Sequence, residues 1–153
     1  MLQVGEAVPE LVLNDQEGKA TTLSDLIGET GLIVYFYPAD FTPVCTREAC
    51  TFRDQWPDLT ALGVRVVGIS PQDEGSHARF AAEHELPFPL LADPEKVAIK
   101  AFGVQGPLGI GVRRATFLVG KDGKVKARAV ADFFLGDHKA LIEQVLRGGE
   151  AGH

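Results

Sequence analysis

The chain has 153 residues, 45% of them apolar, and a formal net charge of −6 at pH 7. This length and composition allow one domain spanning residues 1–153, with a core large enough to fold without a disulfide or a structural metal. A mildly acidic chain without a Lys/Arg cluster is a poor partner for nucleic acid or for an anionic membrane. The N-terminus does not resemble a secretory leader and no apolar run approaches the length of a bilayer, so we expect a cytoplasmic protein.

Strand and helix patterns alternate from the N-terminus onward. Residues 11–13 predict a short strand that opens an N-terminal hairpin through a polar turn at 14–19. Ser24 is the predicted N-cap of a short helix that ends near Gly28. Residues 31–37 are almost continuously apolar, which is typical of a strand covered on both faces, and we place this strand at the centre of the sheet.

A helical period follows, from Thr42 to about Leu62. Thr42 can accept a backbone N–H as the N-cap, and Pro43 suits the first turn. Pro57 is expected to bend or break this helix, because proline removes an N–H donor and crowds the preceding turn.

The rest of the chain completes an α/β pattern. Its predicted elements are a strand at 64–70, an amphipathic helix at 74–85 with Ala78, Phe80 and Ala81 facing inward, a short strand at 87–92, a helix capped by Asp93 and ending at Gly103, a flexible loop at 106–111, a hairpin of 115–119 and 124–128 around Asp122-Gly123, and a last helix at 137–147. This order predicts a thioredoxin-like fold, a mixed sheet with parallel strands near its middle and helices on both faces.

The only two cysteines, Cys45 and Cys50, lie where the 31–37 strand has ended and the next helix begins. In a reducing compartment such a pair is read as transient redox partners, as metal ligands or as core residues. Two thiols make a poor zinc site, and no histidine stands at a metal-ligand spacing from them, so we expect no metal and no cofactor. The histidines are predicted to be surface residues; they are His77, His84, His138 and His153.

Thiol chemistry at neutral pH needs help from the surrounding structure. A free thiol with a pKa of about 8.5 is only about 3% ionised at pH 7, and lowering that pKa to ~6 requires roughly 3.4 kcal/mol. A helix N-terminus supplies about 2 kcal/mol at best. A fixed cation is therefore needed, and arginine suits the role because it stays charged and donates two parallel hydrogen bonds.

The segment Pro38-x3-Thr42-x2-Cys45-x4-Cys50 resembles the active-site motif of the peroxiredoxins, most closely their bacterioferritin comigratory protein (PrxQ-like) branch. Other similar segments lie at 4–9, 52–54, 67–70, 114–118 and 121–124, so the resemblance spans nearly the whole chain. The branch commonly has Lys, a small acidic residue and Gly where this chain has Ala39, Phe41 and Val44, and these departures bear on substrate preference.

The resemblance implies a thiol-dependent peroxidase that acts in antioxidant defence. Cys45 would be the peroxidatic nucleophile and Cys50 the resolving thiol, while Thr42 and Arg114 would bind the peroxide and orient the thiolate. Pro38 would shape and shield the pocket, and Glu48 would tether an arginine, either Arg114 or Arg47. Phe41 and the 106–111 loop are expected at the pocket mouth. The implied partners are hydrogen peroxide, organic hydroperoxides and thioredoxin or a related dithiol reductant, and we expect a monomer.

The spacing of the two cysteines has a mechanical consequence. In an ideal α-helix, residues five apart have Cα atoms about 8.7 Å apart and point ~140° away from each other. A disulfide requires Cα atoms within about 7 Å. If Cys45 and Cys50 start on one helix, we expect oxidation to unwind the chain between Thr42 and Phe52.

Two alternative functions remain open from the sequence. A dithiol–disulfide exchange protein would share the fold, but such proteins normally use Cys-x-x-Cys rather than the Cys-x4-Cys spacing found here. A peroxide sensor would use the same reactive cysteine but would consume about one equivalent of peroxide instead of turning over.

Overall fold

The computed structural model describes residues 1–106, 108 and 111–130. In this part of the chain the strands are β1 (Val12–Asn14), β2 (Ala20–Thr22), β3 (Gly31–Phe36), β4 (Val64–Ser70), β5 (Leu90–Ala92), β6 (Ala115–Gly120) and β7 (Val125–Val130), and the helices are α1 (Leu23–Leu26), α2 (Pro43–Ala61), α3 (Glu74–Glu83) and α4 (Val97–Phe102). The predicted helix at 137–147 and part of the 106–111 loop lie outside the described residues. None of the described helices has the length and apolar composition needed to cross a membrane.

The seven strands form one mixed sheet in the order β2-β1-β5-β4-β3-β6-β7. The pairs β3–β4 and β4–β5 are parallel, and all other pairs are antiparallel. This confirms the predicted thioredoxin-like arrangement with its parallel middle and its N-terminal hairpin. The middle strand is β4 rather than β3, because β5 and the N-terminal hairpin extend the sheet on the far side of β4.

The sheet separates two apolar cores. Side chains alternate between the faces of a strand, so the continuous apolar run of β3 feeds both cores. One core contains Leu32, Val34 and Phe36 with residues of α1 and α4. The other contains Ile33, Tyr35 and Tyr37 with Cys45, Ala49, Phe52 and Leu59 of α2 and Phe80 of α3. The first cysteine is thus held against the sheet by the packing of α2.

The helix caps differ in part from the prediction. The N-cap of α1 is Thr22, whose hydroxyl accepts the backbone N–H of Asp25 at 3.2 Å, and not Ser24. The pattern of small polar residues could not decide between two hydroxyls that are two positions apart. The N-cap position of α4 is Lys96 rather than the predicted Asp93, but the Asp93 carboxylate does accept two backbone N–H groups of that helix at 2.7 and 2.9 Å.

Two further expectations about helices need correction. Pro57 is predicted to bend or break α2, and a break is excluded, because the helix continues through the proline with Phe52 and Leu59 buried on either side of it. In α3 the buried residues are His77 and Phe80, while Ala78 is exposed. The buried stripe of α3 passes through a histidine that we predicted at the surface, and the reason lies in the polar partners described below.

Candidate active site

The topology brings the start of α2 and the start of β6 to the same end of the sheet. The segment 37–42 leads from β3 into α2, and β3 pairs antiparallel with β6 so that Phe36 lies opposite Ala115. Arg114, the residue just before β6, therefore lies beside the first turns of α2. Cys45 and Arg114 meet although 69 residues separate them along the chain.

The guanidinium of Arg114 contacts two groups on α2. Its Nη1 lies 3.3 Å from the Sγ of Cys45 and 3.2 Å from the Oε1 of Glu48. Cys45 and Glu48 are three positions apart on the same helix face, and each is only 1% exposed, while Arg114 is 6% exposed. Of the two arginines considered for Glu48, the structure pairs it with Arg114, whereas Arg47 is exposed.

Arg114 keeps its charge in this buried setting. Burial alone would lower the pKa of the guanidinium, but the negative charge of Glu48 and the hydrogen bond with Cys45 raise that pKa above its ordinary value. The cation can therefore stabilise negative charge on the Cys45 sulfur. Its Nε is a buried donor with no hydrogen-bond partner among the described residues.

The other predicted pocket residues lie in the segment that precedes α2. Thr42 occupies the N-cap position, but its hydroxyl donates to the carbonyl of Ala39 at 3.2 Å and caps no backbone N–H, which corrects the expectation. Pro38 is half-buried. Phe41 is 45% exposed in a left-handed conformation with φ of 65°, and its ring meets that of Phe80 edge-on at 5.2 Å.

Both cysteines are free thiols and belong to the continuous helix α2. Cys45 is buried and faces the sheet, whereas Cys50 is half-buried. The structure therefore places the pair on one unbroken helix, the arrangement in which a direct disulfide is sterically excluded.

A polar cluster that the sequence analysis missed lies beneath the 37–42 segment. The Asp40 carboxylate accepts from Tyr37 Oη at 2.6 Å and from Ser76 Oγ at 2.7 Å, and it lies 2.7 Å from Nδ1 of His77. The other ring nitrogen of His77 lies 3.1 Å from the carbonyl oxygen of Leu91. One signal was available, since His77 stands three positions before Phe80 on the inward stripe of α3, a place where a histidine needs polar partners.

Within residues 1–106, 108 and 111–130, no three or more His, Cys, Asp or Glu side chains are grouped so that they could hold a metal ion.

Comparison with known proteins identifies the family. Residues 4–128 match the model of the AhpC/TSA family. Peroxiredoxin Bcp of Bacillus subtilis (strain 168) is 38% identical over 130 residues, which cover 81% of this chain and 82% of that protein. The crystal structure of peroxidoxin BcpB from Mycobacterium tuberculosis matches with a TM-score of 0.89 at 34% identity, over 97% of this chain and 98% of that chain. A structure of the Xanthomonas campestris bacterioferritin comigratory protein, studied for its alkyl peroxide reduction activity, matches with a TM-score of 0.83 at 30% identity, over 99% and 98% of the two chains.

The fold and its relatives thus define a peroxidase of the oxidoreductase class. The chain belongs to the AhpC/TSA family, among the peroxiredoxins of the Bcp branch. Peroxiredoxins generally use peroxide substrates and dithiol reductants. The resemblance drawn from the motif around Cys45 is confirmed.

Proposed function

We propose that this chain reduces hydrogen peroxide and organic hydroperoxides through a sulfenic acid on Cys45, which Cys50 resolves as an intramolecular disulfide. Thioredoxin or a similar dithiol reductant would then restore the two thiols, in a role of antioxidant defence. The observation that carries the proposal is the contact of 3.3 Å between Arg114 Nη1 and Cys45 Sγ inside a buried site.

In the first step the Cys45 thiolate attacks one peroxide oxygen and the O–O bond breaks. The leaving oxygen takes a proton and departs as water or an alcohol, and the sulfur keeps the other oxygen as a sulfenic acid. Arg114 would stabilise the charge through its Nη1 and through its Nε, a donor to which no described residue is hydrogen-bonded. The Thr42 hydroxyl donates to Ala39, so its free lone pairs would accept the peroxide O–H.

In the second step the Cys50 thiolate attacks the sulfur of the sulfenic acid. A disulfide bond forms, the S–O bond breaks, and the oxygen leaves as water after protonation. Because both cysteines lie on α2, the first turns of that helix have to unwind for this step. An external dithiol then exchanges with the exposed disulfide and becomes a disulfide itself.

The substrate range is supported by the apolar surface beside the site. Phe41 is partly exposed and packs on Phe80, so an alkyl group of an organic hydroperoxide would meet aromatic surface there. The Xanthomonas campestris relative is known for alkyl peroxide reduction. We place the reaction in the cytoplasm, where reducing systems keep such thiols reduced.

The test is a peroxidase assay coupled to thioredoxin and its reductase, run on wild type, Cys45→Ser and Cys50→Ser. Wild type should consume many equivalents of peroxide, and Cys45→Ser should consume none. Cys50→Ser should react once and then retain a sulfenic acid or depend on an added small thiol. Turnover by Cys45→Ser would contradict the assignment, and a wild type that stops after about one equivalent would indicate a peroxide sensor.

A further inference from the structure

The cluster around Asp40 contains a buried contact between a carboxylate and an imidazole. The side chains of Asp40 and His77 are both fully buried, and Oδ2 of Asp40 lies 2.7 Å from Nδ1 of His77. The same Oδ2 accepts from Ser76, and Oδ1 accepts from Tyr37. Burial, followed by the neighbouring Tyr35 and Asp40, raises the pKa of Tyr37 well above its ordinary value of 10.0, so the Tyr37 hydroxyl remains a donor.

The partners of this pair indicate which atoms donate. The Leu91 carbonyl can only accept, so Nε2 of His77 carries a hydrogen. Burial alone would raise the pKa of Asp40, but the hydrogen bond and charge of His77, with donors from Tyr37 and Ser76, hold that pKa below its ordinary value of 3.8. An ionised carboxylate accepts only, so the 2.7 Å contact is suited to an Nδ1–H donor of His77.

The position of the pair links it to the catalytic segment. Asp40 lies between Pro38 and Thr42, whereas its partners His77 and Ser76 belong to α3. Phe41 follows directly in a left-handed conformation that bulky residues avoid and that persists only when the chain is held on both sides. The contacts of Asp40 hold Phe41 on one side, and the hydrogen bond from the Thr42 hydroxyl to the Ala39 carbonyl holds Phe41 on the other.

We propose that the Asp40–His77 ion pair positions the peroxide pocket: it fixes residues 38–42 against α3 so that Thr42 and the start of α2 meet a peroxide bound at Cys45. This inference rests on the proposed peroxidase function. Buried ion pairs seldom add net stability over apolar packing, but a charged pair with directed donors can select one backbone arrangement. Asp40 and His77 act through the segment and are positioning residues.

Variants at both members of the pair test this role. Asp40→Asn removes the charge at constant size. His77→Asn places an amide donor where Nδ1 faces Asp40, while His77→Gln places its donor where Nε2 faces Leu91. The matched control is Asp93→Asn, which alters a carboxylate that is also buried but accepts backbone N–H groups of α4 on the opposite face of the sheet.

Two rate constants are measured for each variant: the reaction of Cys45 with hydrogen peroxide and its alkylation by iodoacetamide. Misplacement of a substrate pocket lowers a rate constant by up to about 100-fold. We therefore expect Asp40→Asn to lower the rate constant with peroxide by about that factor and the rate constant with iodoacetamide by much less. His77→Asn should keep more peroxide reactivity than His77→Gln, and Asp93→Asn should behave as wild type. A purely structural role predicts no difference between the two reagents or between the two His77 variants.

A spectroscopic measurement covers the case in which Asp40→Asn fails to fold. In wild type at pH 7, where an unpaired imidazole is mostly neutral, the 15N signals of His77 should show hydrogen on both ring nitrogens. A singly protonated ring would overturn the ion pair, and equal peroxide rates in His77→Asn and His77→Gln would overturn the positioning role.

If wild type itself does not react with peroxide, the proposed function fails first. If wild type reacts and the variants match it, only this inference fails.

Discussion

At the scale of single residues, one cation balances two potential anions. Arg114 donates from Nη1 to the Cys45 sulfur and to the Glu48 carboxylate, and all three side chains are buried. Without Arg114, a thiolate at Cys45 would face a carboxylate across a buried site, so the loss of the arginine removes an attraction and leaves a repulsion unbalanced.

We therefore expect Arg114→Gln to slow the reaction of Cys45 with hydrogen peroxide by about 10²- to 10³-fold, the range found for removal of a charge-stabilising donor. Arg114→Lys should fall between this variant and wild type, because an ammonium keeps the charge but not the planar fork. Stopped-flow measurement gives the rate constants, and Arg47→Gln on the exposed side of α2 is the control. A full rate in Arg114→Gln would rule out the role given to the guanidinium.

Asp40 gives a second prediction at this scale, on pH and stability. Its pKa is lowered on folding, so its stabilising contribution is complete above the ordinary value of 3.8 and is lost as the pH falls through the folded value. Asp40→Asn should thus cost about 3 kcal/mol near pH 6, and the cost should shrink below pH 3.8. Urea unfolding at both pH values measures the difference. A gap between wild type and variant that does not change with pH would contradict the linkage.

At the scale of elements, α2 joins the proposed catalytic cysteines to residues of the core. Its first turns hold Cys45, Glu48 and Cys50, and its later turns pack Phe52 and Leu59 into the core beneath the sheet. The two cysteines cannot bond within this helix, so the chemistry and the secondary structure are coupled.

Oxidation should therefore unwind α2 locally. We expect amide chemical shifts and hydrogen-exchange protection between Thr42 and Phe52 to change when the dithiol becomes the disulfide. The amides of α4, which lies on the opposite face of the sheet, serve as the internal control. Unchanged shifts from Thr42 to Phe52 in a sample shown by mass spectrometry to contain the disulfide would disprove the unwinding.

The elements also show what sequence alone could reveal. The continuous apolar run of β3 and the helical period of α2 are local patterns, and both elements form as predicted. His77 was misplaced because its partners, Asp40 and Leu91, lie 37 and 14 residues away and no local period contains them. For the same reason the sequence leaves two arginines, Arg47 and Arg114, as candidate partners of Glu48. The pairing of β3 with β6 selects Arg114, because it brings the start of β6 beside α2.

At the scale of the whole molecule, the described residues of the candidate site all come from one chain. The residues that meet at Cys45 come from α2 and from the start of β6, and Cys50, the proposed resolving cysteine, lies on the same helix as Cys45. No second subunit has to supply a thiol for the proposed disulfide.

We accordingly expect a monomer of 16.4 kDa in both the dithiol and the disulfide state. Light scattering after size exclusion, with and without peroxide, measures the mass. Non-reducing electrophoresis should show no species held together by a disulfide between chains. A covalent dimer formed by wild type and lost in Cys50→Ser would show that resolution occurs between subunits.

The placement of both cysteines on α2 also links the stability of this helix to the lifetime of the proposed sulfenic acid. In the proposed cycle, the ease with which the first turns of α2 open would determine how long a sulfenic acid persists on Cys45 before Cys50 reaches it. During that delay a second peroxide molecule can convert the sulfenic acid to sulfinic acid, which ordinary thiols do not reverse. Substitutions that stabilise the start of α2 would thus favour the reaction with peroxide but make overoxidation of Cys45 more frequent. Substitutions that destabilise it would protect the Cys45 sulfur from overoxidation but slow the reaction with peroxide.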